Sequence, residues 1–187
     1  MMVSLASLWL PILLGAVLVF IVSSIIHMVL PYHRNDFGPV PREDDVAAAL
    51  RPFAIPPGDY MLPRAATAKE MQTPEFQNRL KQGPVIAMTV FPNRVFTMGK
   101  SLALWFVYCL IVGIFAGYVA SRTLDPGTEY LQVFRVTGTV AFTGYGLALV
   151  QGSIWMGRRW STTLKSVADA LVYGLVTAGA FGWLWPS

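Results

Sequence analysis

The chain has 187 residues, of which 55% are hydrophobic and 13% are charged, and its mean hydropathy is +0.53. Soluble domains carry about 25% charged residues, so this composition excludes an ordinary water-soluble globule, and its apolar content excludes a disordered chain. The single cysteine, Cys109, excludes an intramolecular disulfide and a CxxC pair. Because there are only two histidines, a metal enzyme with several histidine ligands from one subunit is excluded as well.

Four apolar stretches are each long enough to cross a bilayer. Crossing roughly 30 Å at 1.5 Å per residue takes about 20 residues, and backbone groups in lipid must be hydrogen-bonded within their own segment. The stretches are residues 8–30, 101–121, 136–157 and 166–186. We therefore predict an all-α membrane protein: a single integral membrane domain, residues 1–187, built as a bundle of four transmembrane helices.

The distribution of charge predicts the orientation of this bundle. Residues 31–100 contain nine Lys or Arg, and the connection between the last two spans adds Arg158, Arg159 and Lys165, whereas the opposite side has only Arg122 and Arg135. The positive-inside rule then places both termini outside and residues 31–100 in the cytoplasm, in the inner or plasma membrane. Tryptophans at the span ends fit the interfacial belts of such a bundle. They are Trp9, Trp183 and Trp185 on the outer side and Trp155 and Trp160 on the inner side.

The segment between the first two spans has a different composition. Ten of the thirteen prolines lie in it, and we predict a proline-rich cytoplasmic cap folded against the helix ends. Residues 43–51 and the stretch from Thr73 to Gly83 carry helix start and stop signals, while residues 55–60 are typical of a turn. The apolar stretch at residues 85–92 is too short to span, and it fits either a strand or an interfacial segment.

Small residues recur at four-residue intervals in three of the spans. Such stripes allow close helix packing in lipid, where the hydrophobic effect does not drive helices together. They are Gly113, Gly117 and Ser121; Gly144, Ala148 and Gly152; and Ala170, Gly174, Ala178 and Gly182. Packing within one bundle explains them, and so does a face that forms a homo-oligomer or contacts another membrane protein.

One polar locus stands out in the apolar spans. Asp169 is the only charged residue within the four spans, and His27 lies at a similar depth in the first span. An ionisable group inside a span costs roughly 2.5 to 3.5 kcal/mol at its centre and is by default a functional hypothesis. His27 and Asp169 form a candidate polar or ligand site as a hydrogen-bonded pair, with Lys100, Tyr108 and Gln151 near the same level. The structural alternative is that Lys165, four residues earlier, is the local partner of Asp169.

A metal site is not expected from the sequence. His33 and Asp36 follow His27, but six residues turn a helix by about 600° and Pro31 breaks it, so the two histidines should lie on different faces. We therefore expect no metal and no cofactor. Cys109 fits a small buried hydrophobe, and Arg135 fits a surface ion pair with Asp125 or Glu129.

These observations favour a non-catalytic accessory or scaffold subunit of a membrane assembly. Packing signals are abundant, and no motif for catalysis or phosphate binding is present. The expected partners are membrane lipid and either a second copy or another membrane protein, and no nucleic acid, because the net charge of +4 arises beside the membrane. The alternatives are a small transporter or ion-conducting oligomer that uses His27 and Asp169, and a membrane enzyme acting on a lipid or quinone.

Overall fold

A computed structural model describes residues 3–95 and 97–187 of the chain. The described residues form two compact units, one of residues 3–37 and 97–187 and the other of residues 38–95. The first unit contains four helices that are long and apolar enough to cross a membrane. The prediction of four such helices is confirmed.

The bounds of these helices differ from the predicted spans by a few residues. The first long helix runs through Leu5–Val29 and comprises a 3₁₀ turn, helix α1 at Trp9–Ser24 and a π-helical turn at Ile25–Val29. The second is α5, Gly99–Thr123, and the fourth is α8, Trp160–Trp183. The third, Tyr130–Met156, starts six residues earlier than predicted. It consists of α6 at Tyr130–Gly146, a 3₁₀ turn at Leu147–Leu149 and α7 at Val150–Met156.

The four long helices pack around two groups of buried side chains. The most extensive contact joins α6 and α8, while α1 packs on α5 and α8, and α5 on α6. One group, with Val19, Cys109 and Tyr173, lies where α1 ends and α8 begins. The other, with Leu8, Val133 and Phe181, lies toward the opposite end. Cys109 is buried, as expected for a thiol that acts as a small hydrophobe.

Most of the small residues lie inside this bundle. Gly113 packs against Ile12, Gly117 against Phe181, and Gly174 against Phe142. The stripe at residues 144–152 is not continuous, because Ala148 lies in the 3₁₀ turn and is exposed. Gly182, in the last predicted stripe, packs against the ring of Tyr130. Two glycines outside the predicted stripes, Gly138 and Gly146, also make close approaches, to Ala178 and Ala170 on α8.

The second unit is a small α/β structure. Helices α2 at Glu43–Leu50, α3 at Ala68–Met71 and α4 at Pro74–Gln82 accompany two strands, β1 at Gly58–Leu62 and β2 at Ile86–Val90. Thr73 caps α4 by accepting a hydrogen bond from the Phe76 amide, and Gly83 ends this helix, as predicted. Antiparallel pairing of β1 with β2, Tyr60 opposite Met88, identifies residues 86–90 as a strand. The expectation of an all-α chain is therefore wrong for the two strands. The expected turn over residues 55–60 is wrong in part, because residues 58–60 belong to β1.

The α6–α8 contact predicts the effect of adding one methyl group. In Gly138→Ala the new Cβ would lie 2.9 Å from the Ala178 Cβ, and neither atom can move without its backbone. We expect a loss of about 1 to 3 kcal/mol in the free energy of unfolding, measured by thermal unfolding in detergent through tryptophan fluorescence. Gly179→Ala on α8 is the matched control, because its nearest neighbour is 3.8 Å away. Equal melting temperatures for the two variants would contradict this packing.

Candidate functional site

Asp169 is the buried carboxylate around which the candidate site is built. It lies on α8 with 4% of its surface exposed. His33 approaches it with Nε2 2.8 Å from Oδ2, and the Tyr32 hydroxyl donates a hydrogen bond to Oδ1. Both carboxylate oxygens are thus partnered by residues that follow the first long helix. This arrangement satisfies the rule that a buried charge needs hydrogen-bonding partners.

A second carboxylate, Asp36, completes the group. Its Oδ2 lies 2.6 Å from Nδ1 of His33, and its Oδ1 accepts a 2.8 Å hydrogen bond from Nζ of Lys165. Lys165 also donates to the backbone carbonyl of Tyr32. Tyr32, His33, Asp36, Lys165 and Asp169 are called the Asp169 cluster below. With an imidazolium at His33, the two positive and two negative charges of this cluster balance.

The electrostatics of the cluster favour a charged Asp36. Burial acts to raise the pKa of this carboxyl group, but hydrogen bonds from His33 and Lys165 outweigh it, so the pKa lies below its ordinary value. For Tyr32 the direction is opposite. Burial, together with the hydrogen bond to Asp169, raises the pKa of the phenol, so that Tyr32 remains a neutral donor.

Local backbone structure brings His27 and His33 together. The π-helical turn at Ile25–Val29 ends with the Leu30 amide bonded to the Ile25 carbonyl, and a 3₁₀ turn at Pro31–His33 follows at once. The change of helical pitch and the turn at Pro31 fold the chain back, so the two imidazole centroids lie 4.4 Å apart. The expectation that these histidines diverge is wrong, because it assumed a regular α-helix up to Pro31.

The candidate pair of His27 with Asp169 is replaced by another arrangement. His27 Nε2 lies 3.3 Å from the Tyr173 hydroxyl, and it is His33 that pairs with Asp169. The local partnership of Lys165 with Asp169 is also not formed, since the ammonium group binds Asp36. Even so, His27, His33 and Asp169 each offer one ligand atom, and these atoms all lie within 4.8 Å of one another.

The other three predicted site residues have separate environments. Tyr108 donates a 2.6 Å hydrogen bond to the Gly144 carbonyl and thereby links α5 to α6. Lys100 and Gln151 are exposed, on α5 and α7 respectively. Within residues 3–95 and 97–187, no hydrogen bond or ion pair connects these two side chains with the Asp169 cluster. Arg135 likewise forms no ion pair with Asp125 or Glu129 in this described part of the chain.

Sequence reasoning missed Tyr32 and Tyr173 and set aside His33 and Asp36. The sequence did carry a signal for three of these residues, because Tyr32, His33 and Asp36 lie within six residues after the first predicted span. Tyr173 was recognisable only as the residue one helical turn beyond Asp169 on the same face of α8.

A cleft borders His27. Its volume is about 320 Å³, and it lies between the end of the first long helix and the start of α5. Its lining comprises Ser23, Ser24, His27, Met28, Met98, Ser101, Leu102 and Trp105. The indole of Trp105 donates a hydrogen bond to the Ser23 hydroxyl. Among these lining residues, His27 is the one with an ionisable side chain.

Comparisons with known proteins identify no relative. No family model matches the chain, and no curated protein or solved structure is significantly similar to it.

The Asp169 cluster predicts how tightly residues 31–37 are held. Asp169→Asn removes the negative charge opposite His33. The free energy that holds residues 31–37 on α8 should fall by about 1 to 3 kcal/mol, because a buried donor loses its partner. Since Arg34 is exposed within this segment, tryptic cleavage after Arg34 in detergent should accelerate by roughly 10- to 100-fold.

Asp45→Asn is the matched control, because Asp45 pairs with Arg42 on the surface, where both side chains are more than half exposed. It should leave the cleavage rate after Arg34 unchanged. Equal rates in Asp169→Asn and the unaltered protein would mean that Asp169 does not hold this segment.

Proposed function

We propose that the protein is a multi-pass integral membrane protein of the inner or plasma membrane, with both termini outside and residues 31–100 in the cytoplasm. Support comes from the four long apolar helices and from contacts near the chain ends: Leu5 and Phe181 both pack against Gly117. Trp9, Trp155, Trp160 and Trp183 are all more than half exposed, as side chains of interfacial belts would be. In this orientation the Asp169 cluster lies near the cytoplasmic boundary.

Within that membrane we propose a non-catalytic accessory subunit of a larger assembly, with residues 38–96 as its cytoplasmic contact. This proposal depends on the small number of buried side chains in this unit. Among its described residues only Phe76 and Pro63 are buried, and Phe53 and Phe91 are 73% and 77% exposed. A two-stranded sheet without a core is marginal by itself, so an additional surface is needed to cover it.

A protein is a better candidate for that surface than anionic lipid. Residues 38–96 contain seven Lys or Arg and six Asp or Glu, so their net charge is close to zero. Binding to an anionic membrane gains about 1 kcal/mol for each basic residue at the surface and requires a clear excess of them. Exposed aromatic side chains, in contrast, are typical anchors of protein interfaces.

The Asp169 cluster fits a structural role in such a subunit. Its donors and acceptors satisfy one another, and no buried side-chain nitrogen or oxygen lacks a partner within the described residues. The transporter alternative gains less support, because fully buried apolar side chains, such as Leu8, Val19 and Phe181, fill the bundle interior. A polar route would have to replace this packing.

The cleft beside His27 favours a second candidate function. Its lining is largely apolar, with an imidazole and three serine hydroxyls. A lipid or quinone headgroup beside His27 would fit this combination, as in the alternative of a membrane enzyme acting on such a molecule. The first candidate is preferred, because Ser23 and Ser24 donate their hydroxyls to the Phe20 carbonyl, and among the described residues no hydrogen bond joins a serine of this lining to His27.

Site-specific photocrosslinking tests the accessory role. A benzophenone amino acid replaces Phe53 or Phe91, and the same replacement of the exposed Lys69 is the matched control. In native membranes we expect adducts with another membrane protein at the two aromatic positions and little at Lys69. Mass spectrometry of the adducts distinguishes a second copy from a different subunit. Adducts with lipid alone, or equal capture at all three positions, would contradict the proposal.

A further inference from the structure

We propose that His27, His33 and Asp169 form a binding site for one divalent transition-metal ion such as Zn²⁺. Two imidazole nitrogens and one carboxylate oxygen are a ligand set that Zn²⁺ and Fe²⁺ use in proteins, with further positions left for water or another ligand. The three ligand atoms already lie within 4.8 Å of one another. They come from three separate segments, namely the π-helical turn, the 3₁₀ turn and α8.

The geometry around His33 is the strongest argument for this site. Metal-binding histidines usually donate their second N–H to a carboxylate, which fixes the tautomer and the orientation of the ring. Here Nδ1 of His33 lies 2.6 Å from Asp36, and Lys165 holds that carboxylate from its other oxygen. With the proton on Nδ1, the lone pair of Nε2 faces Asp169. Tyr32 in turn fixes the second oxygen of Asp169.

Binding requires these atoms, which lie within 4.8 Å of one another, to reach the spacing of metal ligands. Nε2 of His33 and Oδ2 of Asp169 lie 2.8 Å apart. Two ligands of a tetrahedral ion at bond lengths of about 2.0 to 2.1 Å are separated by about 3.3 Å. The pair therefore opens by roughly half an ångström, and His27 closes the site after releasing the 3.3 Å contact with the Tyr173 hydroxyl.

The alternative for the same residues is a cluster held by protons alone. In that case His33 is an imidazolium between two carboxylates, and His27 keeps its hydrogen bond with Tyr173 and takes no part in the cluster. The two arrangements differ in the role of His27, because it is a ligand only when an ion binds. This inference does not depend on the proposed accessory role.

The test uses the full-length protein in detergent, treated with a chelator and then titrated with Zn²⁺ by equilibrium dialysis, with metal content determined by mass spectrometry. One ion per chain is expected. Asp36→Asn should weaken binding by about 10- to 100-fold, as loss of such an orienting carboxylate typically does. His27→Gln should weaken it further, although its only hydrogen bond within the described residues is with Tyr173. Asp45→Asn, on the surface of α2, is the control and should bind like the unaltered protein.

X-ray absorption at the zinc edge gives an independent measurement on the unaltered protein, so the test does not rely on variants that fold less well. A first shell with two imidazoles is expected. The proposal is overturned if no stoichiometric Zn²⁺ binds, if the bound ion lacks imidazole ligands, or if His27→Gln binds as tightly as the unaltered protein.

Discussion

A buried carboxylate must have partners within the fold, and this constraint organises one end of the molecule. Asp169 receives its partners from Tyr32 and His33, which stand just after the first long helix. Since these residues reach α8 only if the chain folds back at Pro31, the buried charge fixes the path of the backbone there. Removing the charge would release the segment, whereas most exposed charges in this protein have no comparable consequence.

Close approach between helix backbones is the second feature of the bundle. In the membrane that we propose, the hydrophobic effect would not distinguish a helix neighbour from an acyl chain, so contact area between helices would matter most. Gly138 and Gly146 bring α6 close to α8, and Gly113 brings α5 close to α1. The Asp169 cluster then joins the end of the first helix to the start of the fourth. The glycine contacts thus join α6 to α8 and α5 to α1, and the polar contacts join the end of the first long helix to α8.

Much of the fold was predictable, because long apolar segments have few alternatives. Their number followed from length and composition alone, and Thr73 and Gly83 marked the ends of α4 through local chemistry. The strand pairing of residues 58–62 with 86–90 was not predictable, because it joins segments far apart in the sequence. Short apolar runs such as residues 85–92 carry no periodicity long enough to separate a strand from an interfacial segment.

Of the residues that form the Asp169 cluster, Asp169 itself was predictable from the sequence as a member of a polar site. Asp169 was identified from its cost in an apolar helix, but neither of the two partners considered for it, His27 or Lys165, is the one that the structure shows. Both errors have one physical source. A regular helix was assumed through residue 30, whereas a π-helical turn followed by a 3₁₀ turn redirects His33, and such irregular turns leave little signal in a single sequence.

Cysteine accessibility tests the proposed membrane arrangement most directly. The natural thiol, Cys109, is buried with 1% of its surface exposed, so it contributes little background. Lys69→Cys and Ser187→Cys are treated with a membrane-impermeant maleimide in intact and in permeabilised cells. The account predicts that position 187 reacts in intact cells and that position 69 reacts only after permeabilisation. Reaction of position 69 in intact cells, or of position 187 only after permeabilisation, would contradict it.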